Sequence, residues 1–183
     1  MPLPSPTAER NRMHVRSVQL AGYKRADGCW DVEARLTDVK DQDYPLSSGL
    51  RKQGEPVHDM SVRVTVDQRM VIVNAVACTD AMPYEGYCDR ITPDYAKLIG
   101  LNLFHGFRKA VKERFGTTDG CSHITELLMF LPTAALQTIA SEIRDSDDSE
   151  HKPYQLDRCH ALDSHSEAVQ RYYPRWYRSQ KTG

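Results

Sequence analysis

The amino-acid sequence predicts an α+β fold, in which an antiparallel meander sheet is packed by two or three C-terminal helices. The first half of the chain alternates apolar and polar residues with a period of two, which is typical of half-buried strands. The second half repeats its apolar residues at helical spacing instead. Because the strands precede the helices and do not alternate with them, the order favours the α+β class.

Four strands are predicted in the first half. The clearest alternation places Trp30 and Leu36 on one strand face, with charged residues between the apolar positions. Asp27 and Gly28 give a strong turn signal before that strand. Residues 40–56 contain proline, glycine and serine and are predicted to be a loop. The predicted strands span residues 13–20, 29–39, 60–66 and 70–78.

Two helical segments are predicted in the second half. Residues 93–115 form the first, and Phe107 and Phe115 lie on its apolar stripe. The second covers residues 122–143. Pro132 is expected to kink or split this helix, because proline lacks the backbone N–H and clashes with the preceding turn.

The chain of 183 residues suits one domain of ordinary size. Residues 1–12 are predicted to be a disordered lead, and residues 13–143 a single α+β domain. Residues 144–183 are predicted to be a linker and a tail that packs back on the domain. The linker includes the acidic stretch 145–150, which is expected to be solvated.

Composition excludes several classes of partner. The net charge of −1 gives no general affinity for nucleic acid or for an anionic membrane. No apolar run approaches about 18 residues, and the N-terminus has no secretory apolar segment. Five widely spaced cysteines predict reduced thiols in a cytoplasmic protein. The oligomeric state is left open between a monomer and a homo-oligomer.

Polar residues at the ends of predicted elements form the candidate site. Cys121 and His123 stand at the mouth of the second helix, where the helix dipole favours a thiolate. Thiolate, imidazole and carboxylate groups suit a zinc or iron ion, so this metal is the expected cofactor and no organic one is expected. The predicted metal ligands are His58, Asp80, Cys88, Cys121 and His123.

Each candidate also has a purely structural alternative. Cys121 and His123 could belong to a capped helix with a buried thiol, and His58 could be a strand-end histidine bonded to a carbonyl. Asp80 could simply form a turn. Arg16 shares a strand face with His14, which indicates either a salt-bridged surface or a clamp for a carboxylate.

Several motifs in order resemble a bacterial family of formerly unknown function. They are GYKRADGCWDVEARLTDVK, GEPVHDM, TDAMPYEGYC and GCSHITELL, and the similarity covers about residues 13–139. The family is similar to γ-formaldehyde lyases of lignin-derived aromatic dimers. The resemblance implies a carbon–carbon lyase that removes the γ-carbon of a small phenolic substrate as formaldehyde.

This resemblance also implies roles for individual residues. A formaldehyde-releasing lyase needs a base for the hydroxyl proton, and the predicted catalytic residues are His58, Tyr84 and His123. A metal held by the histidines would assist by lowering the pKa of the alcohol. The predicted substrate-binding residues are Arg16, Trp30 and Tyr87.

The order of motifs is also similar to that of U-type iron–sulfur scaffold proteins. In that comparison His58 matches the first ligand, and Cys121 and His123 match the last pair. Cys78, Asp80 or Cys88 would match the second ligand. With few thiolates, a mononuclear zinc or iron site is favoured over a cluster. A metal or iron–sulfur carrier and a non-catalytic interaction domain are the alternative functions.

Overall fold

Four long antiparallel strands form the main sheet of the first half of the chain. The structure is a computed structural model that describes residues 2–142 and 151–179. The long strands pair in the order β1-β2-β5-β6, and the short strands β3 and β4 form a separate hairpin. Helices follow the sheet in the chain and pack on one face, which confirms the predicted α+β meander. The strands are β1 (His14–Lys24), β2 (Trp30–Lys40), β3 (Tyr44–Leu46), β4 (Gly49–Arg51), β5 (Pro56–Val66) and β6 (Ile72–Ala81).

Alternation along β2 and β5 divides the sheet into two faces. On β2 the apolar positions from Trp30 to Leu36 are buried, while Arg35 between them is half exposed. The apolar positions of β5 from Met60 to Val66 are buried on the same face. This inner face, which the helices cover, therefore carries the core, and the other face is called the outer face below.

The hairpin of β3 and β4 lies inside residues 40–56, where the sequence predicted only a loop. Its three residue pairs carry no apolar alternation, so the usual strand signal is absent. Asp43 organises the segment by accepting hydrogen bonds from the Gln53 backbone at 2.9 Å and from Lys52 Nζ at 3.0 Å.

The prediction of one continuous helix over residues 93–115 is wrong. A 3₁₀ segment, Asp89–Leu98, is followed by an irregular stretch and then by α1 (Phe107–Phe115). Gly100 and Gly106 break the helix because their φ angles are +87° and +68°, which glycine adopts at little cost.

The second predicted helix is divided at Pro132, as expected. The two parts are α2 (Ser122–Leu128) and α3 (Leu131–Ile139), followed by a 3₁₀ turn, Ala140–Glu142. Residue 143, where the helix and the domain were predicted to end, lies outside the described residues.

The helices bury their apolar stripes against the inner face. Helix α2 contacts β2 and β5, and Ile124, Leu127 and Leu128 are fully buried. The 3₁₀ segment Asp89–Leu98 contacts β6. Tyr95 of that segment is also fully buried and stacks on Phe115, with 4.7 Å between the ring centroids.

The chain divides into two compact units, Met1–Thr138 and Ile139–Gly183. In the second unit, α4 (Glu167–Tyr172) begins at a cap in which Ser166 Oγ accepts from the Val169 backbone. The predicted acidic linker, 145–150, lies outside the described residues, and the docking of the tail stays a prediction. None of the helices in the described ranges is long and apolar enough to cross a bilayer.

Helix α3 passes very close to β1 at Gly22. A Cβ atom added to this glycine would lie 2.6 Å from the Cβ atom of Thr138. Glycine is required here because the side chain of Thr138 lies against the backbone of Gly22, which leaves no room for a methyl group.

We expect Gly22→Ala to lower the free energy of unfolding by about 1–3 kcal/mol, the usual range for overpacking. Urea denaturation measures the change. Combining it with Thr138→Gly, which removes the obstructing side chain, should recover part of the loss. A double-mutant cycle without coupling between the two positions would contradict the close approach.

Candidate functional site

A buried carboxylate, Asp38, occupies the core-facing register of β2 just beyond its apolar positions. It is only 3% exposed. The sheet places Arg16 of β1 directly opposite on one side and His58 of β5 directly opposite on the other. The β2–β5 register shifts immediately after Asp38. Such irregularities re-aim side chains and are common beside functional sites.

Four hydrogen bonds satisfy the two oxygens of Asp38. Arg16 donates from Nε to Oδ1 and from Nη2 to Oδ2, both at 2.8 Å. His14 Nε2 lies 2.8 Å from Oδ1, and His58 Nδ1 lies 3.0 Å from Oδ2. A carboxylate has about four acceptor positions, so these partners use all of them.

The partners keep Asp38 ionised. Burial by itself would raise the pKa of this carboxyl group, because it disfavours the charged form. The hydrogen bonds from Arg16 and His14, the positive charge of Arg16 and the hydrogen bond from His58 outweigh burial. They hold the pKa of Asp38 well below its usual range.

Two stacked imidazoles adjoin this carboxylate. The ring centroids of His58 and His123 are 3.8 Å apart with an interplanar angle of 30°. Burial, the largest cause, lowers the pKa of both histidines below the ordinary 6.5. For His58 the neighbouring His123 lowers it further, against the opposing effect of Asp38. Both rings are therefore neutral at pH 7.

Asp38 also selects the tautomer of His58. An ionised carboxylate can only accept, so His58 Nδ1 must carry the proton and donate it to Asp38 Oδ2. In the neutral ring the other nitrogen, Nε2, then carries a lone pair. This arrangement makes His58 an oriented Brønsted base.

The two histidines line a cleft of about 630 Å³. Its remaining walls come from Met60 of β5, from residues 83–94, after β6, and from residues 118–122, before and at the start of α2. Tyr84 and Tyr87 line it and are exposed, Tyr87 the more so at 72%. A volume of this size accommodates a small organic molecule.

Tyr95 and Glu126 fix the start of α2 beside the cleft. The backbone N–H of Cys121 donates to the buried Tyr95 hydroxyl at 2.9 Å. Arg16 Nη1 donates to Glu126 Oε2 at 2.6 Å, so one guanidinium joins the buried carboxylate to the helix. These contacts position His123 against His58.

The structure brings most of the predicted site residues to this cleft. Cys121 Sγ lies 3.6 Å from Met60 Sδ and 4.0 Å from His123 Nδ1. The predicted residues that line the cleft are His58, Tyr84, Tyr87, Cys88, Cys121 and His123.

Three other predicted residues lie elsewhere. Arg16 has the salt-bridged role that the sequence left open, with its guanidinium bound to two carboxylates. Trp30 is in the core, eight positions along β2 from Asp38. Asp80 is exposed and interacts electrostatically with Arg35 on the outer face, so it does not join His58.

Sequence reasoning missed Asp38, although a signal for it existed. The apolar alternation of β2 continues from Leu36 to Asp38, which puts a charged residue in a buried register. A charge at such a position requires partners. Two of them, Arg16 and His14, were already predicted to share one strand face.

Asp38, His58 and His123 together could hold a metal ion. Each offers one ligand atom, and these atoms lie within 4.8 Å of one another. Among the described residues, these three are the metal-ligating side chains that converge in a group of three or more. The group contains no cysteine and does not include Asp80.

Fold and site define an α+β domain in which a buried carboxylate and two neutral histidines adjoin a tyrosine-lined cleft. The chain belongs to the family described as "Protein of unknown function (DUF2889)", whose sequence profile matches residues 14–137. The match extends from His14 past Glu126 and so includes the whole site. Comparisons with curated proteins and with solved structures each gave no match.

We expect the free energy of unfolding to fall as pH is lowered below 6.5. The unfolded chain protonates His58 and His123 near that pH, whereas the folded state binds these protons only at lower pH. Each histidine contributes a slope of at most about 1.4 kcal/mol per pH unit. Urea denaturation between about pH 5 and pH 8 measures it.

A double variant tests this origin of the pH dependence, and a variant of the exposed His105 is the matched control. His58→Gln combined with His123→Gln should flatten the pH dependence, while His105→Gln should leave it unchanged. A wild-type slope in the double variant would contradict the neutral state of the two buried rings.

Proposed function

We propose that the protein is a lyase that releases formaldehyde from a phenolic aromatic substrate by general acid–base catalysis. The observation that carries the proposal is His58, whose Nδ1 is bound to the buried, ionised Asp38 at 3.0 Å. Its Nε2 is thereby left as a neutral base in a ring that lines the cleft.

The cleft supports an aromatic substrate. Tyr84 and Tyr87 offer ring faces and hydroxyl groups, and Ile91 adds an apolar wall. Aromatic side chains pack well on planar ligands, while a hydroxyl group can bond a phenolic oxygen. The proposed substrate class therefore stays a phenolic alcohol of the kind found in lignin-derived dimers.

The proposed reaction needs no external oxidant or reductant. The ionised phenol expels the oxygen on the benzylic carbon and forms a quinone methide. His58 Nε2 takes the proton of the terminal hydroxyl group. The oxygen of that hydroxyl group becomes the carbonyl oxygen of formaldehyde, and the bond between the terminal carbon and its neighbouring carbon breaks. The bond electrons form a double bond to the benzylic carbon and restore the phenolate. The expelled oxygen receives the proton, which gives water when the leaving group is hydroxide.

Substitution of the base tests this proposal. We expect His58→Gln to lower kcat/KM for formaldehyde release by about 100-fold to 10,000-fold, because glutamine can donate to Asp38 but cannot accept a proton. His105→Gln is the matched control, since His105 is an exposed histidine away from the cleft. Full activity of His58→Gln would show that the base assignment is wrong.

The pH profile and the substrate provide separate checks. A plot of log kcat/KM against pH should rise and become less steep at an apparent pKa below 6.5, where His58 becomes neutral. It should level off only above the pKa of the substrate's phenol, because the ionised phenol is the reactive form. A substrate whose phenol is O-methylated should not react. Release of formaldehyde from that substrate would exclude the quinone-methide route.

A zinc or iron ion on Asp38, His58 and His123 is the second candidate arrangement. Two imidazoles and one carboxylate fit either ion. When bound, such an ion would supply Lewis-acid activation of the alcohol oxygen. The two hydrogen bonds from Arg16, which already occupy both oxygens of Asp38, favour the metal-free arrangement.

Elemental analysis of protein purified without a histidine tag distinguishes the two arrangements. The metal-free site predicts substoichiometric zinc and iron, and activity that resists chelators. About one ion per chain, lost in His58→Gln and retained in His105→Gln, would establish the second candidate. Cys121→Ala should not change the metal content in either case, because the converging group has no thiolate.

The remaining alternatives have less support. An iron–sulfur carrier would require converging thiolates, and the converging group contains none. A non-catalytic interaction domain gives no reason to bury an ionised Asp38 beside two neutral histidines. All five cysteines are free thiols, which supports the proposed cytoplasmic location.

A further inference from the structure

Arg90 provides the positively charged side chain in the lining of the cleft. Among the described residues that line it, Arg90 is the one lysine or arginine. Asp94 is the one carboxylate in the same lining, and its charge is already paired with Lys97 Nζ at 2.6 Å. The cleft therefore presents a positive charge that no lining residue neutralises.

Arg90 differs from the arginines of the sheet and its turns, which are paired with carboxylates. Its own contact is with an aromatic ring, because the guanidinium carbon lies 4.7 Å from the centroid of Tyr87. Within the described parts of the chain, no carboxylate lies at ion-pair distance from it. The paired arginines are Arg12, Arg16, Arg25, Arg35, Arg63 and Arg69.

A guanidinium held on a ring face keeps its in-plane N–H donors available. Those donors form a planar fork that matches the two oxygens of a carboxylate, and they also bind a single anionic oxygen. The ring of Tyr87 restricts the long side chain without using any donor. Arg90 is thus held at the cleft in a state suited to an incoming anion.

We propose that Arg90 recognises an anionic oxygen, phenolate or carboxylate, on the aromatic ring of the substrate. This inference rests on the proposed function, because it assigns the ring-recognition role at the same cleft. The role of anion clamp that the sequence offered for Arg16 then falls to Arg90, since Arg16 is bound to Asp38 and Glu126.

Binding of inert aromatic probes to the full-length protein tests the inference by calorimetry. The probes are benzoate with its neutral counterpart benzamide, and 4-nitrophenolate with its neutral counterpart 4-nitroanisole. The anion should bind more tightly than the neutral partner in at least one pair, and that pair identifies the oxygen. Arg90→Gln should weaken binding of that anion by about 10-fold to 100-fold and leave the affinity for the neutral probe unchanged.

Two further variants sharpen the test. Arg90→Lys keeps the charge but not the fork, so it should retain more affinity for the anion than Arg90→Gln. Arg108→Gln is the matched control, because Arg108 donates to the backbone oxygen of Met129 outside the cleft lining. Circular dichroism confirms that each variant is folded.

The outcomes separate this inference from the proposed lyase. No preference for either anion, or equal anion binding by wild type and Arg90→Gln, overturns the role of Arg90. Arg90-dependent anion binding without formaldehyde release from any phenolic diol supports the role of Arg90 and counts against the lyase. When both hold, Arg90→Gln should raise KM for the ionised substrate more than it lowers kcat.

Discussion

The burial of one ionised carboxylate, Asp38, constrains much of the first unit. Removing a carboxylate from water costs several kcal/mol unless charges and hydrogen bonds replace the lost hydration. Here β1 provides Arg16 and His14, and β5 provides His58. The three strands must keep their register for these groups to meet, because a slip of one residue would turn the partners to the outer face. The same guanidinium also binds Glu126, so the position of α2 depends on this carboxylate as well.

This electrostatic arrangement has a chemical consequence. Asp38 is kept charged by its partners, while the two histidines are kept neutral mainly by burial. A neutral imidazole held by an ionised carboxylate is a common general base in enzymes, where the carboxylate fixes the tautomer and stabilises the protonated ring. The charge of Asp38 is thus buried, whereas the rings of His58 and His123 line the cleft.

The distribution of arginines distinguishes the structural part of the site from its open part. Arg16 uses its donors on two carboxylates and therefore joins strands to a helix. Arg90 contacts a tyrosine ring and keeps its donors for a ligand. Both are positive at any physiological pH. What differs is the set of neighbours, and those neighbours are the basis for assigning Arg16 to the fold and for proposing Arg90 as the residue that recognises an anion.

The sequence by itself determined the sheet, the order of strands and helices, and the division of the second helix at Pro132. These features follow from local rules, namely side-chain alternation, turn residues and the missing N–H of proline. It also indicated His58, Cys121 and His123, because polar residues at the ends of elements gather where elements meet. The irregular stretch between residues 98 and 107 escaped prediction, since an apolar stripe outweighed two glycines whose positive φ angles appear only in the structure.

Only the tertiary structure decided which of the polar candidates share a site. Strand pairing placed Asp38 between Arg16 and His58, and it left Asp80 exposed near Arg35, away from His58. Contacts between elements join residues 22 and 110 positions apart in the chain, as those of Arg16 with Asp38 and Glu126 show. Such distances lie beyond any local pattern. The physical reason is that a side chain acquires its charge state and its role from neighbours that the fold, and not the chain order, brings to it.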